Sequence, residues 1–163
     1  MPHVVHITDD FAVARALGAE DFAVIAAQGF RTVLNFLPDG ETKSQVSSDD
    51  ARQLCEKAGM AYAHVPAQKY SLFTDGVVAP ARQAMASLQA PVLAYCASGQ
   101  RAAIVWAAVN SQSMPVDAVL GTLTKAGFDF GYIRDDLEQQ ADRPRWQMAV
   151  GSPGQNQISQ SGV

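Results

Sequence analysis

Long apolar runs, basic clusters and cysteine are what this sequence has least of, and each scarcity removes a class of function. The longest apolar run, Ala102 to Val109, falls far short of the ~18 consecutive apolar residues that a membrane span requires. Twelve Lys and Arg stand against sixteen Asp and Glu, for a formal net charge of -4, with no basic block anywhere. The electrostatic footprint of a nucleic-acid binder is missing, so neither nucleic acid nor membrane is expected as a partner. Two cysteines, Cys55 and Cys96, are too few for a disulfide framework and suit a reducing compartment. The opening Met1-Pro-His-Val-Val-His lacks the basic and then apolar pattern of a secretory signal, so a cytoplasmic location is expected. Internal repeats are absent too. What is present, 163 residues of which 48% are hydrophobic and 17% charged, is the composition of one globular domain at a prior of about 150 residues per domain.

Local patterns predict alternating strands and helices. Val4-Val5 and Phe11-Ala-Val flank the polar turn Thr8-Asp9-Asp10, which predicts a hairpin or a pair of short edge strands. A helix over 19–29 opens on acidic residues and closes at Gly29; Phe30 to Leu37 then reads as a buried strand stopped by Pro38-Asp39-Gly40. Ser47 to Asp50 caps a second helix ending near Gly59, and Ala61 to Val65 supplies the next strand. Asp75 is placed as the cap of a third helix reaching about Gln89, and Pro91 to Tyr95 is another short strand. The helix after it, Ala102 to Val109, is apolar on all sides and hence central. Pro115, at a first helical position, opens a further helix to about Lys125, and a last helix spans Tyr132 to Gln140. Beyond Arg145 no charge remains, so the expected organisation is a catalytic domain over 1–145 and a flexible tail over 146–163. Such alternation predicts an α/β fold of three layers, a mostly parallel central sheet flanked by helices, with ligands outside the carboxyl ends of the strands. Loops 38–46, 67–75 and 96–101 leave those ends.

The third of these loops carries chemistry. Cys96-Ala97-Ser98-Gly99-Gln100-Arg101 puts a thiol at a strand end and an arginine at the start of a helix. Backbone N–H groups of a tight loop converge on one point, and the helix N-terminus adds partial positive charge, so an anion or a thiolate is stabilised there. Such surroundings lower a cysteine pKa from about 8.5 into the ~3.5 to 7.5 range and make it a nucleophile at neutral pH. Cys96 and Arg101 are therefore the candidate catalytic pair, with Ala97, Ser98, Gly99 and Gln100 as the substrate-binding cradle. Gly99 permits a positive φ. Arg101 offers a fork for an oxyanion, and because a cation at a helix N-terminus is unfavourable alone, an anion is expected beside it.

Tyr95-Cys-Ala-Ser-Gly-Gln-Arg-Ala102, together with Asn35-Phe-Leu-Pro-Asp-Gly-Glu41 and His64-Val-Pro66, resembles the phosphatase-like domain of bacterial beta-lactamase-hydrolase-like proteins, a family also described as sulfur transferases. The resemblance runs from about His6 to Leu137 and implies a fold like that of dual-specificity phosphatases with a rhodanese-like cysteine loop. It also implies a persulfide dioxygenase or a sulfide-quinone reductase as partner. A tyrosine-phosphatase signature, His-Cys-x-x-Gly-x-x-Arg-(Ser/Thr), has one residue more between Cys and Arg than the four found here, and this chain has Tyr95 before the cysteine and Ala102 after the arginine. The shorter rhodanese loop, Cys-Arg-x-Gly-x-Arg, matches Cys96, Gly99 and Arg101, with Ala97 in place of its first arginine. On that count the expected activity is sulfur transfer through a Cys96 persulfide, with a small anionic or thiol/persulfide substrate. A cysteine-dependent phosphatase acting on phosphotyrosine or a small phosphoester is the alternative, and a non-catalytic anion- or partner-binding module is a further one. The family usually has an arginine just before Pro-Asp-Gly-Glu, where this chain has Leu37.

The remaining candidates divide between structure and chemistry. Asp39 and Glu41 either shape a turn or line the pocket. Asp75 lies where phosphatases of this fold keep a general acid, although helix capping explains it as well; Tyr70 and Phe73 could shape the mouth of the site. Cys55, His64 and Trp106 are read as packing residues. His3 and His6 form too thin a cluster for a metal, no zinc spacing is present, and no cofactor is expected.

Overall fold

Strands only four or five residues long build the sheet, and the three at its centre, Phe11–Ala14, Thr32–Asn35 and Val92–Tyr95, are buried on both faces. The computed structural model describes residues 2–151, with side chains through residue 142. In chain order the elements are β1 (Val4–Thr8), β2 (Phe11–Ala14), α1 (Asp21–Ala27), β3 (Thr32–Asn35), α2 (Ser48–Lys57), β4 (Ala61–His64), α3 (Asp75–Ser87), β5 (Val92–Tyr95), α4 (Gln100–Asn110) and α5 (Val116–Lys125). A 3-10 turn at Gly131–Ile133 then leads into α6 (Arg134–Gly151). The sheet order is β1-β2-β5-β3-β4, and every pairing is parallel except that of β1 with β2. This is the α/β, mostly parallel, three-layer arrangement expected.

Side chains alternate across the sheet, as the period of two requires. Phe11, Val13, Leu34, Val92 and Ala94 join one core cluster with residues of α3, α4, α5 and α6. Ala12, Ala14, Val33, Leu93 and Tyr95 join the other, with Phe22 and Ile25 of α1 and Ala51 and Cys55 of α2. Helix α4 is buried from Arg101 through Ala108, which accounts for its uniformly apolar sequence. Trp106 is core, as expected, tilted against Phe11 at 6.4 Å.

Four local expectations need correction. The hairpin forms, but β2 is not an edge strand: it pairs with β5 from Phe11↔Val92 to Ala14↔Tyr95, so only β1 and β4 are edges. Thr74, not Asp75, is the N-cap of α3, and Asp75 is the first helical residue, where its charge meets the positive end of the helix. Pro115 sits one position earlier than expected, as the N-cap of α5. Helix α6 runs on to Gly151, past the end expected at Gln140 and into the segment read as a tail; positions 152–163 lie outside the described residues. Among the described residues no helix is long and apolar enough to cross a membrane.

Candidate active site

Strand β5 delivers Cys96 to the carboxyl edge of the sheet, between β2 and β3, and α4 begins four residues later. The turn between them works because Gly99 takes φ +94°, in the left-handed region, and serves as the N-cap of α4. That conformation aims the Gly99 N–H at the thiol, which accepts it at 3.1 Å. Both Cys96 and Arg101 are buried, at 0% and 7% exposure. Segment 14–16, at the end of β2, braces the loop: Ala16 N–H donates to the Ala97 carbonyl at 3.3 Å, and a Cβ on Gly99 would touch the Ala14 carbonyl at 3.4 Å. Ser98 and Gln100 face solvent, and Ser98 Oγ accepts a long 3.4 Å contact from Gln100 N–H.

Arg101 joins the three carboxyl-end loops. Its Nη1 donates to Glu41 Oε2 at 2.9 Å and to the Ala67 carbonyl at 2.7 Å, and its Nη2 donates to Glu41 Oε1. The anion expected beside this cation is thus a side chain of the protein itself. Hydrogen bonding to the guanidinium holds the Glu41 carboxyl below the usual range against the opposing effect of burial, with the charges of Arg101 and Lys69 acting in the same direction. Reciprocally, Glu41 raises the pKa of Arg101. A guanidinium has five N–H donors. Glu41 and Ala67 take three of them, which leaves Nε–H and one Nη2–H, the parallel pair on the other edge of the fork, for a bidentate oxyanion.

Behind Glu41 lies a polar network that fixes loop 37–41. Asn35 Oδ1 accepts from Leu37 N–H at 2.8 Å, and Asn35 Nδ2 donates to the Tyr62 hydroxyl at 3.0 Å. Tyr62 also shares a 2.8 Å hydrogen bond with Ser48 Oγ, and burial pushes its pKa up. Asp39 Oδ1 accepts from Ser48 N–H at 2.8 Å, so Asp39 is committed to the loop and the start of α2. His64 Nε2 lies 2.9 Å from the Leu37 carbonyl, the satisfied structural histidine that was expected. Leu37 itself is buried in the core cluster that includes Tyr95 and Cys55.

Of the residues singled out from sequence, the structure therefore assembles Cys96, the four loop residues, Arg101 and Glu41, with Asp39 in support. Asp75 opens α3 and is exposed. Tyr70 is 97% exposed, and Phe73 packs against the core rather than framing a mouth. Cys55 is buried with its pKa pushed up to about 12 by desolvation, which matches the inert role assigned to it. His6 stacks on Phe30 at 5.9 Å, and no group of residues among those described could hold a metal ion. Sequence reasoning missed the β2 end, Ala14 to Ala16, because nothing local to that segment reveals its pairing with β5.

Residues 3–113 match the family described as beta-lactamase hydrolase-like protein, phosphatase-like domain. A beta-lactamase hydrolase-like protein of Xylella fastidiosa is 31% identical over 140 residues, which are 85% of this chain and 32% of that protein. The chain thus spans about a third of the length of the curated relatives it matches. A crystal structure of a candidate phosphatase from Neisseria meningitidis superposes with TM-score 0.72 at 27% identity, covering 83% of this chain and 96% of that one. Kinase-associated phosphatase, solved with its catalytic cysteine replaced by serine, shares the fold at TM-score 0.71 and 11% identity, over 90% of this chain and 97% of that one.

Proposed function

The chain belongs to the family of the phosphatase-like domain of beta-lactamase hydrolase-like proteins, and from that premise we propose that it is a cysteine-dependent hydrolase of phosphate monoesters. The observation that carries the reading is the junction at Arg101: one buried guanidinium, held by Glu41 and Ala67 with two of its donors unused, closes the same six-residue loop whose thiol already receives the Gly99 N–H. Fold likeness adds support, since the neighbours named as phosphatases share this sheet. The sulfur transfer expected from loop length, Tyr95 and Ala102 finds no such support, so the order of the two readings is reversed.

In the reaction, Cys96 Sγ as thiolate attacks phosphorus in line with the ester oxygen. The S–P bond forms as the P–O bond breaks, and the leaving oxygen takes a proton from solvent. Backbone N–H groups of 97–101 and the free edge of Arg101 receive the equatorial oxygens, where negative charge is spread in the transition state. Water then attacks the phosphocysteine, releasing inorganic phosphate and restoring the thiol. Because Ala102 has no hydroxyl to assist the departing sulfur, this second step is the slow one. An aryl phosphate, whose leaving group needs little protonation, is the appropriate first substrate. Steady hydrolysis of p-nitrophenyl phosphate that disappears in Cys96→Ser and falls in Arg101→Lys is the expected result. Turnover that persists in Cys96→Ser refutes the reading.

One observation favours sulfur transfer as a second reading: the ring from Cys96 to Arg101 is one residue shorter than the phosphatase signature, and it closes on the sulfur itself through Gly99. Under it, a persulfide donor adds one sulfur atom to wild-type mass and none to Cys96→Ser, and p-nitrophenyl phosphate is left intact.

A further inference from the structure

Beside the cysteine loop, on the side away from Glu41, lies a cavity of about 400 Å³. It is lined by the four loop residues 97–100, by Ala14, Val5, Val13 and Phe128, and by the exposed His3 and Arg15. We propose that this cavity is a substrate subsite: it takes an apolar spacer ending in a second anionic group, and Arg15 is the residue that selects for that group. The inference rests on the hydrolase reading above and names the class of substrate, a phosphate monoester carrying a carboxylate or a further phosphate beyond an apolar segment.

Charge is the first argument. Arg101 is matched by Glu41 in a bidentate pair, so it adds little net positive charge to the surroundings of the thiol. Arg15 has no ion pair or hydrogen-bonded acceptor among the described residues, and no Asp or Glu lines the cavity. It is thus the uncompensated cation on the loop's flank, and it offers a planar fork suited to carboxylate or phosphate. Position is the second argument. The Arg15 backbone nitrogen would lie 3.7 Å from a Cβ on Gly99, and the neighbouring Ala16 N–H is bonded to the Ala97 carbonyl. The parallel pairing of β2 with β5 fixes both strand ends side by side, so Arg15 is anchored to the same short loop that would hold the reacting phosphate. The third argument is the apolar part of the lining: Val5, Val13, Ala14 and Phe128 favour an apolar linker over a hydrated one.

The test compares two phosphonates that the enzyme cannot hydrolyse, phenylphosphonate and 4-phosphonobenzoate, which differ by the carboxylate alone. Titration calorimetry on the whole chain at low salt is expected to show the carboxylated probe binding about fivefold more tightly, the gain of one exposed charge pair. In Arg15→Gln the ratio falls to about one, and in Arg15→Lys part of it returns; in the wild type, added salt compresses it, as screening requires. Equal binding of the two probes by wild type, binding of neither, or a full ratio retained in Arg15→Gln overturns the assignment. The outcomes separate from those of the catalytic reading. A ratio that follows Arg15 without turnover of p-nitrophenyl phosphate leaves the subsite standing and removes the hydrolase, and turnover with no ratio does the reverse.

Discussion

Replacing Glu41 with Gln tests the contact on which the site is built. The partner, Arg101, is 7% exposed, and the Glu41 side chain is one-quarter exposed. Removing one member of a fully buried ion pair costs about 3–5 kcal/mol because the other charge is left unpaired. Three features reduce that here. Glutamine keeps one acceptor for the guanidinium, the Ala67 carbonyl remains at 2.7 Å, and water reaches the exposed quarter of the side chain. A loss of about 2 kcal/mol is therefore expected, close to that of a charge-assisted hydrogen bond. Its pH dependence has a definite sign. The folded carboxyl lies below its usual value of 4.5, so the stabilisation is fully present above the unfolded pKa and is lost as pH falls through the folded one. Urea unfolding of wild type and Glu41→Gln should thus differ by a constant amount from neutral pH to about pH 5, and the two should converge in more acidic buffer. A difference below about 0.5 kcal/mol at neutral pH, within the range of ordinary surface substitutions, or one that stays constant into acid, refutes the account of this pair.

Other outcomes follow from the same contacts. Gly99→Ala places a Cβ at φ +94° and 3.4 Å from the Ala14 carbonyl; strain of about 1–3 kcal/mol is expected, with p-nitrophenyl phosphate turnover falling at least about tenfold because the N–H aimed at Cys96 moves. Tyr62→Phe removes the hub between Asn35 and Ser48 while keeping the ring under Arg52, 5.0 Å from its centroid; chemical denaturation should show a loss of about 2 kcal/mol. Cys55→Ala should retain full turnover at a cost of about 1 kcal/mol. Iodoacetamide on the native wild type at neutral pH should leave Cys55 unmodified, as peptide mapping can establish, because the thiol is buried and its pKa is pushed up to about 12.

Features set by local chemistry were legible in the sequence. Ser47 caps α2 by accepting from Asp50 N–H at 3.1 Å, Gly29 and Gly59 follow helix ends with positive φ, and the all-apolar pattern of α4 announced its central place. The three loops at the carboxyl edge were legible too, and with them Cys96 and Arg101. Their assembly was not. Glu41 and Arg101 lie 60 positions apart, and nothing in either segment specifies that they meet. The sequence permitted Asp39 and Glu41 the same two roles, and only the fold separates them, sending Asp39 to Ser48 N–H and Glu41 to the guanidinium. Of the hairpin and the pair of edge strands that the turn at Thr8-Asp9-Asp10 allows, the hairpin forms, but its second strand is interior, because four buried residues, Phe-Ala-Val-Ala, carry no period that tells one neighbour from two. With that pairing hidden, Arg15 could not be placed beside the loop. Loop length, Tyr95 before the cysteine and Ala102 after the arginine point from phosphate toward sulfur chemistry, but all three describe the ring and its immediate neighbours, whereas Glu41 and Ala67, which hold the guanidinium, come from other loops.

The central claim is that Cys96 takes the phosphoryl group onto its sulfur and that Arg101 holds it there. Acid quenching of wild-type protein during turnover of p-nitrophenyl phosphate, followed by intact mass and peptide mapping, measures this directly. Because the second step lacks a hydroxyl at position 102, phosphocysteine should accumulate, and a single phosphoryl group should be found on Cys96 and on no other residue. An enzyme that turns the substrate over while Cys96 stays unmodified at every quench time, or that carries the phosphoryl group elsewhere, contradicts the account.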